Sequence, residues 1–326
     1  MEQIYFLFAV FLSSLLASLY LTKKMIVKLR NAQIFGNDMH KLDKPQVTEM
    51  GGIAIVGAFV GSSIFGILLH LFFGFSFEIS GIMASLLTVC IVAIIGIYDD
   101  LVDMGQLTKA LLPLSASVPL VAIEMAKGYN IIAIPFVGTI DFGILYPLLL
   151  VPLAVAVCSN LTNMLAGFNG IEAGMGAVIF AALFILSLMH SNIEMSVLSI
   201  AMLGALLGFL KFNWYPAKTF MGDVGTLTIG AAIAATVIVS SLKSAGVILM
   251  IPFIIDWVIK LANGFPKSFA LVKEDNRLYA PKNKIRGFAD LILKISGGLS
   301  ERRLVLTCIA IEIVIGIFVV LYFGKY

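Results

Sequence analysis

Two polar segments, residues 160–174 and 212–225, stand between long apolar runs and contain most of the residue types that could do chemistry in this chain. The first contains three asparagines and a glutamate, and the second contains a lysine and an aspartate. Amide, ammonium and carboxylate groups at a bilayer boundary are costly unless they are paired, bind an ion or line a wet cavity. We therefore expect the chemistry to be concentrated in a few short loops.

Asp223 and Asn163 are candidates for binding a divalent cation. Asp223 precedes an apolar run, where the positive end of a helix dipole would favour a carboxylate without any ligand. Mg²⁺, however, is commonly held by one or two carboxylates together with substrate phosphates, and the amide oxygen of Asn163 would suit such a site. Asn160 lies three residues earlier, so the two amides share one face of a helix end.

A second candidate group is the acidic pair Asp99 and Asp100, with Asp103 and Lys109 nearby. Carboxylates this close raise each other's pKa unless a cation intervenes. The pattern predicts either a cation-binding or proton-accepting cluster at the membrane surface, or simply a solvated and capped helix end.

Asn169 lies between Gly167 and Gly170, which would allow the backbone to approach a phosphate or a nucleobase closely. A helix cap followed by a turn explains the two glycines equally well. The segment 264–302 is rich in basic residues, most of which suit a loop beside anionic lipid. One or two of them could bind a diphosphate, with arginine preferred for bidentate contact. The basic residues we single out are Lys267, Lys273, Arg277, Lys282, Lys284, Arg286 and Lys294.

The composition restricts the class of protein to which these residues belong. Of the 326 residues, 60% are hydrophobic and 13% are charged, whereas a soluble domain is about 25% charged. The three cysteines have neither a disulfide pattern nor metal-ligand spacing, and the three scattered histidines argue against a zinc site. We predict an all-α polytopic membrane protein.

Ten segments approach the 20 or so apolar residues that a spanning helix needs: 3–22, 51–73, 81–98, 108–126, 144–160, 172–190, 194–211, 224–242, 245–263 and 303–323. With ten spans, 19 of the 22 lysines and arginines fall on one side, as the positive-inside rule requires. Both termini then lie outside, and an outer β-hairpin is expected near 127–143. One domain, 1–326, would present its candidate site to the cytosol on loops 30–50, 98–109, 158–171, 211–223 and 264–302.

These motifs together resemble those of the polyprenyl-phosphate N-acetylhexosamine-1-phosphate transferases, which are ten-helix membrane enzymes. The resemblance covers nearly the whole chain. It rests on Glu49 before a Gly-Gly pair, the Asp99-Asp100 pair with Lys109, Asn160-x-x-Asn163, and the segment 220–223. The strings 166–174 and 213–216 look like the eukaryotic branch, and the compact chain suggests an archaeal enzyme.

The resemblance implies a role for each matching residue. Asn163 and Asp223 match the Mg²⁺ ligands, with Mn²⁺ able to substitute, and Asn169 and Phe220 match the uracil-recognising amide and its stacking ring. Met39 and Glu49 match positions where the nucleoside pocket and the sugar region begin, and Lys109 matches the lysine on the diphosphate. Asp99 and Asp100 match the acidic pair near the lipid phosphate, and either of them is a candidate base. Arg277 or Arg286 would lie near the sugar.

The activity implied by the resemblance is transfer of GlcNAc-1-phosphate from UDP-GlcNAc to dolichyl phosphate, with release of UMP. A bacterial-type enzyme that uses undecaprenyl phosphate and another N-acetylhexosamine is the alternative within this class. A transporter is the alternative outside it, although transporters tend to have midplane sites and internal repeats, and a lipid-binding scaffold is a third. A homodimer is compatible with the resemblance, and we expect no nucleic-acid partner.

Overall fold

The computed structural model describes residues 2–74, 77–128, 131–134, 138–266, 269–281 and 284–325. Its helices are α1 (Glu2–Asn31), α2 (Gly52–Phe73), α3 (Ile79–Val102), α4 (Gln106–Ala116), α5 (Val118–Lys127), α6 (Val151–Met164), α7 (Ile171–Met189), α8 (Ile193–Asn213), α9 (Gly222–Val239), α10 (Lys243–Leu249), α11 (Ile251–Ala262), α12 (Phe288–Ser296) and α13 (Glu301–Phe323). A π-helical turn, Tyr146–Leu150, leads into α6. The strands are β1 (Phe35–Asn37), β2 (Gln46–Thr48), β3 (Ile131–Ile134), β4 (Gly138–Asp141), β5 (Leu271–Val272) and β6 (Leu278–Tyr279).

The prediction of a polytopic all-α membrane protein is confirmed. Among the described residues, nine helical segments are long and apolar enough to cross a membrane, and the bent pair α10–α11 makes up to ten. The fourth predicted span, 108–126, corresponds to α4 and α5 together, and the ninth, 245–263, corresponds to α10 and α11, which meet at 60°.

Prolines explain where two of these spans break. Pro119 and Pro252 each lie in the first turn of a helix, α5 and α11 respectively. A proline is tolerated there because its missing N–H would have no intrahelical partner, whereas it cannot continue a preceding helix. Pro113, in contrast, is accommodated inside α4.

α9 is the central helix, because 89% of its residues are buried within the protein. Glycines allow neighbouring backbones to touch it. A Cβ on Gly52 at the start of α2 would overlap the backbone of Gly225, and one on Gly230 would overlap the Cys158 carbonyl of α6. Such contacts between small residues are a main source of helix association in membranes, where apolar burial alone contributes little.

The polar loops lie at one end of the bundle, where α3, α6 and α8 end and α2, α4, α7 and α9 begin. Both chain termini lie at the opposite end. The ring of Phe6 in α1 is 6.2 Å from that of Phe77 before α3, and the Phe323 carbonyl of α13 is 3.0 Å from His190 Nε2 after α7. The termini therefore share one end, as the ten-span topology predicts.

Among the residues that the structure describes, three antiparallel hairpins complete the fold. β3 and β4 pair with Ile131 opposite Asp141, which confirms the hairpin predicted near 127–143 for its described residues. Hairpins β1–β2 and β5–β6 were not predicted from the sequence, because their strands are only two or three residues long. A parallel bridge between Thr48 and Thr219 joins β2 to the segment before α9.

Candidate active site

A cavity of 270 Å³ opens among the polar loops. Five of the residues predicted from the sequence line it: Met39, Glu49, Asn163, Phe220 and Asp223. The remaining lining residues come from the same loops and from the segment after α11: Gly36, Asn37, Asp38, Ala166, Gly167, Phe168, Glu172, Asn213, Met221, Gly222, Thr226 and Phe269.

Lys109 joins two of the predicted carboxylates at the edge of this cavity. Its Nζ lies 2.5 Å from Asp99 Oδ2 and also contacts Asp223 Oδ2. The three side chains come from the start of α4, the end of α3 and the start of α9. Asp99 Oδ1 accepts a hydrogen bond of 2.9 Å from the Met104 amide, so both oxygens of this buried carboxylate have partners. The structure thus brings together residues 124 positions apart as one charged cluster.

Asp100 is directed differently from its neighbour. Its two oxygens accept hydrogen bonds from the backbone amides of Asp223, at 2.7 Å, and Val224, at 3.0 Å. These amides are in the first turn of α9, whose N–H groups have no intrahelical acceptor. Asp100 therefore caps α9 and fixes the backbone on either side of Asp223.

Asn163 and Asp223 both line the cavity, and their oxygens are of the hard type that Mg²⁺ prefers. The ammonium of Lys109 beside Asp223 shows that this position favours a cation. Near Asn163, Lys260 Nζ donates to the carbonyl of Met164 at the end of α6 and lies 2.8 Å from Asp256. Asn163 and Asp223 therefore offer the kind of oxygen donors that a magnesium ion would need.

Phe220 and Glu49 lie side by side against β1. The Phe220 amide donates to the Thr48 carbonyl at 2.7 Å. A Cβ on Gly36 would come within 2.9 Å of Glu49 Oε2 and 3.3 Å of the Phe220 ring. Burial raises the pKa of Glu49, and the nearby Asp100 adds to that rise. This wall offers an aromatic ring next to a carboxyl group.

Asn169 lies behind the cavity wall and is only 2% exposed. Its backbone amide donates to Glu301 Oε1 at 2.7 Å, and its side-chain Nδ2 donates to Asp38 Oδ2 at 3.0 Å. Lys41 Nζ bridges the same two carboxylates, at 2.9 Å from Asp38 Oδ2 and 2.5 Å from Glu301 Oε2. Burial alone would lower the pKa of Lys41, but Glu301 and Asp38 outweigh that effect and raise it.

His40 packs against this group, with its ring stacked 4.2 Å from that of Phe168. Burial lowers the pKa of His40 to about 4, against the opposing influence of Asp38. Asp38, His40 and Glu301 come close enough together to bind a metal ion. The ammonium of Lys41 already neutralises the two carboxylates, so we assign this group to an ion-pair network.

The sequence analysis did not single out Asp38, Lys41 or Glu301. Asp38 and Lys41 have the spacing of a local ion pair, but Glu301 is 260 residues from Lys41 and carries no signal beyond its place in a first helical turn. Glu172 was noticed in the polar string without a role. Its Oε1 accepts a 2.7 Å hydrogen bond from the Gly167 amide and so holds the loop that leads to α7.

Neither Arg277 nor Arg286 lines the cavity. Arg286 is paired with Asp290, with Nε 2.9 Å from Oδ2, and its Nη2 donates to the carbonyl of the cavity residue Phe269 at 2.7 Å. Arg277 donates to the Gly298 carbonyl at 2.6 Å. Arg286 is therefore the arginine adjacent to the cavity. Lys267 and Lys282, which also belong to the predicted basic loop, lie outside the described residues.

Comparisons with known proteins show which family this chain resembles. Residues 82–241 match the family described as glycosyl transferase family 4. A protein of Saccharolobus solfataricus, provisionally named UDP-N-acetylglucosamine–dolichyl-phosphate N-acetylglucosaminephosphotransferase, is 34% identical over 93% of this chain and 92% of its own. The Dictyostelium discoideum enzyme of that name is 26% identical over 87% of this chain and 81% of its own.

A relative of bacterial type matches less of the chain. The phospho-N-acetylmuramoyl-pentapeptide-transferase of Shouchella clausii is 36% identical over 64% of this chain and 65% of its own. The long match to the Saccharolobus protein and the family match over 82–241, which includes Asp99, Lys109, Asn163 and Asp223, lead to the same conclusion. This chain belongs to glycosyl transferase family 4.

Proposed function

We propose that this protein transfers GlcNAc-1-phosphate from UDP-GlcNAc to dolichyl phosphate, producing dolichyl-diphosphate-GlcNAc and UMP. This would be an initiating step in assembly of the lipid-linked oligosaccharide for N-glycosylation. The observation that carries the proposal is the Lys109–Asp99–Asp223 cluster at the edge of a cavity that Asn163 and Phe220 also line. The names of the Saccharolobus and Dictyostelium relatives support the choice of substrates.

In the proposed reaction, an oxygen of the lipid phosphate attacks the β-phosphorus of the nucleotide sugar. The bond from that phosphorus to the bridging oxygen breaks, and UMP leaves with the bonding pair. Catalysis of phosphoryl transfer is mainly positioning and electrostatic stabilisation. When bound by Asn163 and Asp223, Mg²⁺, or Mn²⁺ in its place, would neutralise diphosphate charge.

Lys109 offsets the negative charge that develops towards the leaving group. Asp99 positions Lys109, since one of its oxygens pairs with Nζ and the other accepts the Met104 amide. A phosphate monoester has a second pKa of about 6 and is mainly a dianion at pH 7, so the acceptor needs little help from a base. Phe220 offers a ring on which a base could stack, and we assign the neighbouring Glu49 to the sugar region.

The proposed site faces the cytosol, which the excess of basic residues at the polar end of the bundle supports. A second copy of the chain as a partner remains a prediction, which cross-linking in the membrane would test.

The test is UMP release by the purified protein in detergent, given UDP-GlcNAc, dolichyl phosphate and MgCl₂. We expect release to require all three components and to fall at least about 100-fold in Asp223→Asn, since one preorganised charged group contributes this much. Asp103→Asn is the matched control, because Asp103 is an exposed aspartate at the same end of the bundle. Absence of UMP release with every UDP-sugar and polyprenyl phosphate would overturn the proposal and favour a transporter.

A second candidate is a bacterial-type transferase with undecaprenyl phosphate and a different N-acetylhexosamine. The match to the Shouchella enzyme favours it. The same assay distinguishes the two candidates, because release with undecaprenyl phosphate and another UDP-sugar, but not with dolichyl phosphate and UDP-GlcNAc, would select the second.

A further inference from the structure

A row of polar side chains runs along α11 towards the site end of the bundle. Asp256 and Lys260 lie in α11 and Asn263 follows it, at intervals of four and three residues that place them on one face. Asp256 is 2% exposed and Lys260 is 9% exposed, although α11 belongs to a segment that can cross the membrane. Charged side chains in such segments are rare and costly, and they commonly pair and mark a functional role. The proposed reaction uses none of the three.

Lys260 reaches the end of α6, the helix that carries Asn163. Its Nζ donates to the Met164 carbonyl, and a carbonyl at a helix C-terminus has no N–H donor in its own helix. The next backbone contact is long, because the Ala166 amide lies 3.4 Å from the Asn163 carbonyl, beyond the usual range for such a bond. The Lys260 ammonium therefore holds the backbone directly after Asn163.

Asp256 holds Lys260 from the other side. Its Oδ2 lies 2.8 Å from Nζ, and its Oδ1 accepts a 2.8 Å hydrogen bond from the Phe288 amide in the first turn of α12. A Cβ on Gly287 would come within 2.5 Å of Asp256 Oδ1 and 3.4 Å of Lys260 Cε. The start of α12 is therefore packed directly against this ion pair.

Asn263 extends the connection to the segment between α11 and α12. Its Nδ2 donates to the Ile285 carbonyl at 3.0 Å, which brings the two ends of that segment together. The segment contains Phe269, which lines the cavity together with Asn163. One face of α11 thus holds two separate walls of the cavity, the end of α6 and the segment that contains Phe269.

We propose that Lys260, held by Asp256, is a positioning residue for the cation site, because it fixes the end of α6 and so keeps Asn163 at the cavity that it shares with Asp223. A hydrogen bond from an ammonium to a buried carbonyl is stronger than one between neutral groups. Lys260 contacts no substrate and supplies no ligand atom. The inference rests on the proposed function, in which Asn163 and Asp223 would bind Mg²⁺ or Mn²⁺.

The first experiment titrates MnCl₂ into the purified protein in detergent and follows the EPR signal of free Mn²⁺, so that binding is measured without turnover. The deciding variant combines Asp256→Asn with Lys260→Met, because Lys260→Met alone would leave a buried carboxylate without its cation. The new asparagine retains an oxygen for the Phe288 amide. We expect the double variant to bind Mn²⁺ at least about tenfold more weakly than the unmodified protein, as is usual when a partner that orients a metal ligand is removed.

Two further variants serve as comparisons. Lys260→Arg keeps a cation between Asp256 and the Met164 carbonyl, so it should retain most of the affinity for Mn²⁺. Lys211→Met is the matched control, because Lys211 is an exposed lysine at the same end of the bundle, and it should bind as the unmodified protein does. Equal Mn²⁺ binding by the double variant and the unmodified protein would overturn the inference, as would absence of binding to the unmodified protein.

The dependence of UMP release on Mn²⁺ separates positioning from general damage. A displaced ligand raises the Mn²⁺ concentration needed for half-maximal release, whereas a smaller fraction of folded protein lowers the maximal rate and leaves that concentration unchanged. We expect the half-maximal concentration to rise at least about tenfold in the double variant. A lower maximal rate at an unchanged half-maximal concentration would count against Lys260 as a positioning residue.

If the double variant cannot be purified, hydrogen exchange of the unmodified protein decides the inference. Coupling between two sites is reciprocal, so Mn²⁺ bound at Asn163 should slow exchange of the Phe288 amide, which Asp256 holds. No change at that amide on addition of MnCl₂ would overturn the inference. Failure of the proposed function is seen separately, as Mn²⁺ binding that depends on Lys260 without release of UMP from UDP-GlcNAc and dolichyl phosphate.

Discussion

Lys109 is the residue on which the charge balance of the site depends. It is the cation shared by Asp99 and Asp223, which belong to different helices. Without it, two carboxylates would face each other in a partly buried setting, where like charges repel strongly. The proposed reaction also needs its charge when the phosphate bond breaks.

We expect Lys109→Met to reduce the rate of UMP release by at least about 100-fold, since a preorganised charge near the leaving group contributes this much. Steady-state assay of the purified variant measures the effect. Lys211→Met is the control, because Lys211 is an exposed lysine at the same end of the bundle. A Lys109→Met variant with more than about a tenth of the normal rate would show that the ion pair is only structural.

His40 should make the protein sensitive to acid. Its pKa is about 4 in the folded protein, against an ordinary value of 6.5, because burial disfavours the charged ring. Protonation therefore favours unfolding, and the contribution of neutral His40 to stability is complete above pH 6.5 and is lost as the pH falls towards 4. Between pH 7 and pH 5 the loss is about 2 kcal/mol in the free energy of unfolding.

Thermal unfolding in detergent at pH 7 and pH 5 tests this expectation. His40→Asn should show a smaller decrease in the apparent melting temperature on acidification than the unmodified protein. His190→Asn serves as a comparison, since His190 follows α7 at the end of the bundle opposite to His40. An equal decrease in His40→Asn and the unmodified protein would assign the acid sensitivity to other groups.

The sequence predicted the residues of the charged cluster but not the way in which they are paired. Asp99, Lys109 and Asp223 stood out because polar residues are unusual between apolar runs. That Asp99 pairs with Lys109 while Asp100 caps a helix depends on a rotation of about 100° between successive helical residues, and on where α9 begins. The Asp38–Lys41–Glu301 network could not be predicted, because polar residues in exposed-looking loops carry no signal until tertiary contacts bring them together.

At the scale of elements, the start of α9 is the best-defined part of the site. Asp100 satisfies two backbone amides that would otherwise be unpaired beside the membrane. This cap connects the end of α3 to the helix that carries Asp223. The spacing of the charged cluster is therefore coupled to the stability of a helix terminus.

We expect Asp100→Ala to destabilise the protein by about 1–2 kcal/mol, the usual cost of removing a capping side chain, and to reduce activity as well. Asp100→Asn retains one acceptor oxygen, so its stability should lie between that of the unmodified protein and that of Asp100→Ala. The apparent melting temperature in detergent measures the effect, with Asp43→Ala as the exposed control. If Asp100→Ala melts as the unmodified protein does but is inactive, Asp100 acts on the substrate and not as a cap.

The length of the apolar runs predicted ten spans, and the described residues contain nine spanning helical segments, or up to ten with the bent pair α10–α11. The prediction works because, apart from closed β-barrels, only helices satisfy the backbone in a lipid environment. The breaks were harder to predict. Pro113 is accommodated inside a helix, whereas the α4–α5 break is at Ser117 and the bend of 60° comes just before Pro252. A proline in the sequence is therefore not enough to predict where a spanning helix breaks.

At the scale of the whole molecule, the chain divides into two ends of different character. The site end contains the converging loops and most of the basic residues. The opposite end contains both termini and the β3–β4 hairpin, where Ser244 Oγ donates to the Ala133 carbonyl. This difference between the two ends is what the distribution of lysine and arginine predicts for a protein with ten spans.

Single cysteines in a cysteine-free background test the orientation in the membrane. We expect Asp43→Cys, in the exposed loop at the site end, to react with a membrane-impermeant maleimide only after the cells are permeabilised. Ser80→Cys, at the exposed start of α3 on the opposite end, should react in intact cells. The reverse pattern would place the site outside, and labelling of both residues in intact cells would contradict the ten-span topology.

The glycine contacts around α9 have a consequence for how this protein can vary. The floor beneath the charged cluster is backbone against backbone, at Gly52 with Gly225 and at Gly96 with Val224. Any side chain added there must push a helix, and with it Asp99 or Asp223, out of position. A deep mutational scan should therefore find a second set of intolerant positions that touch no substrate, one layer below the cavity. Substitutions to alanine at these glycines would be lost from functional libraries as often as changes to the charged residues above them.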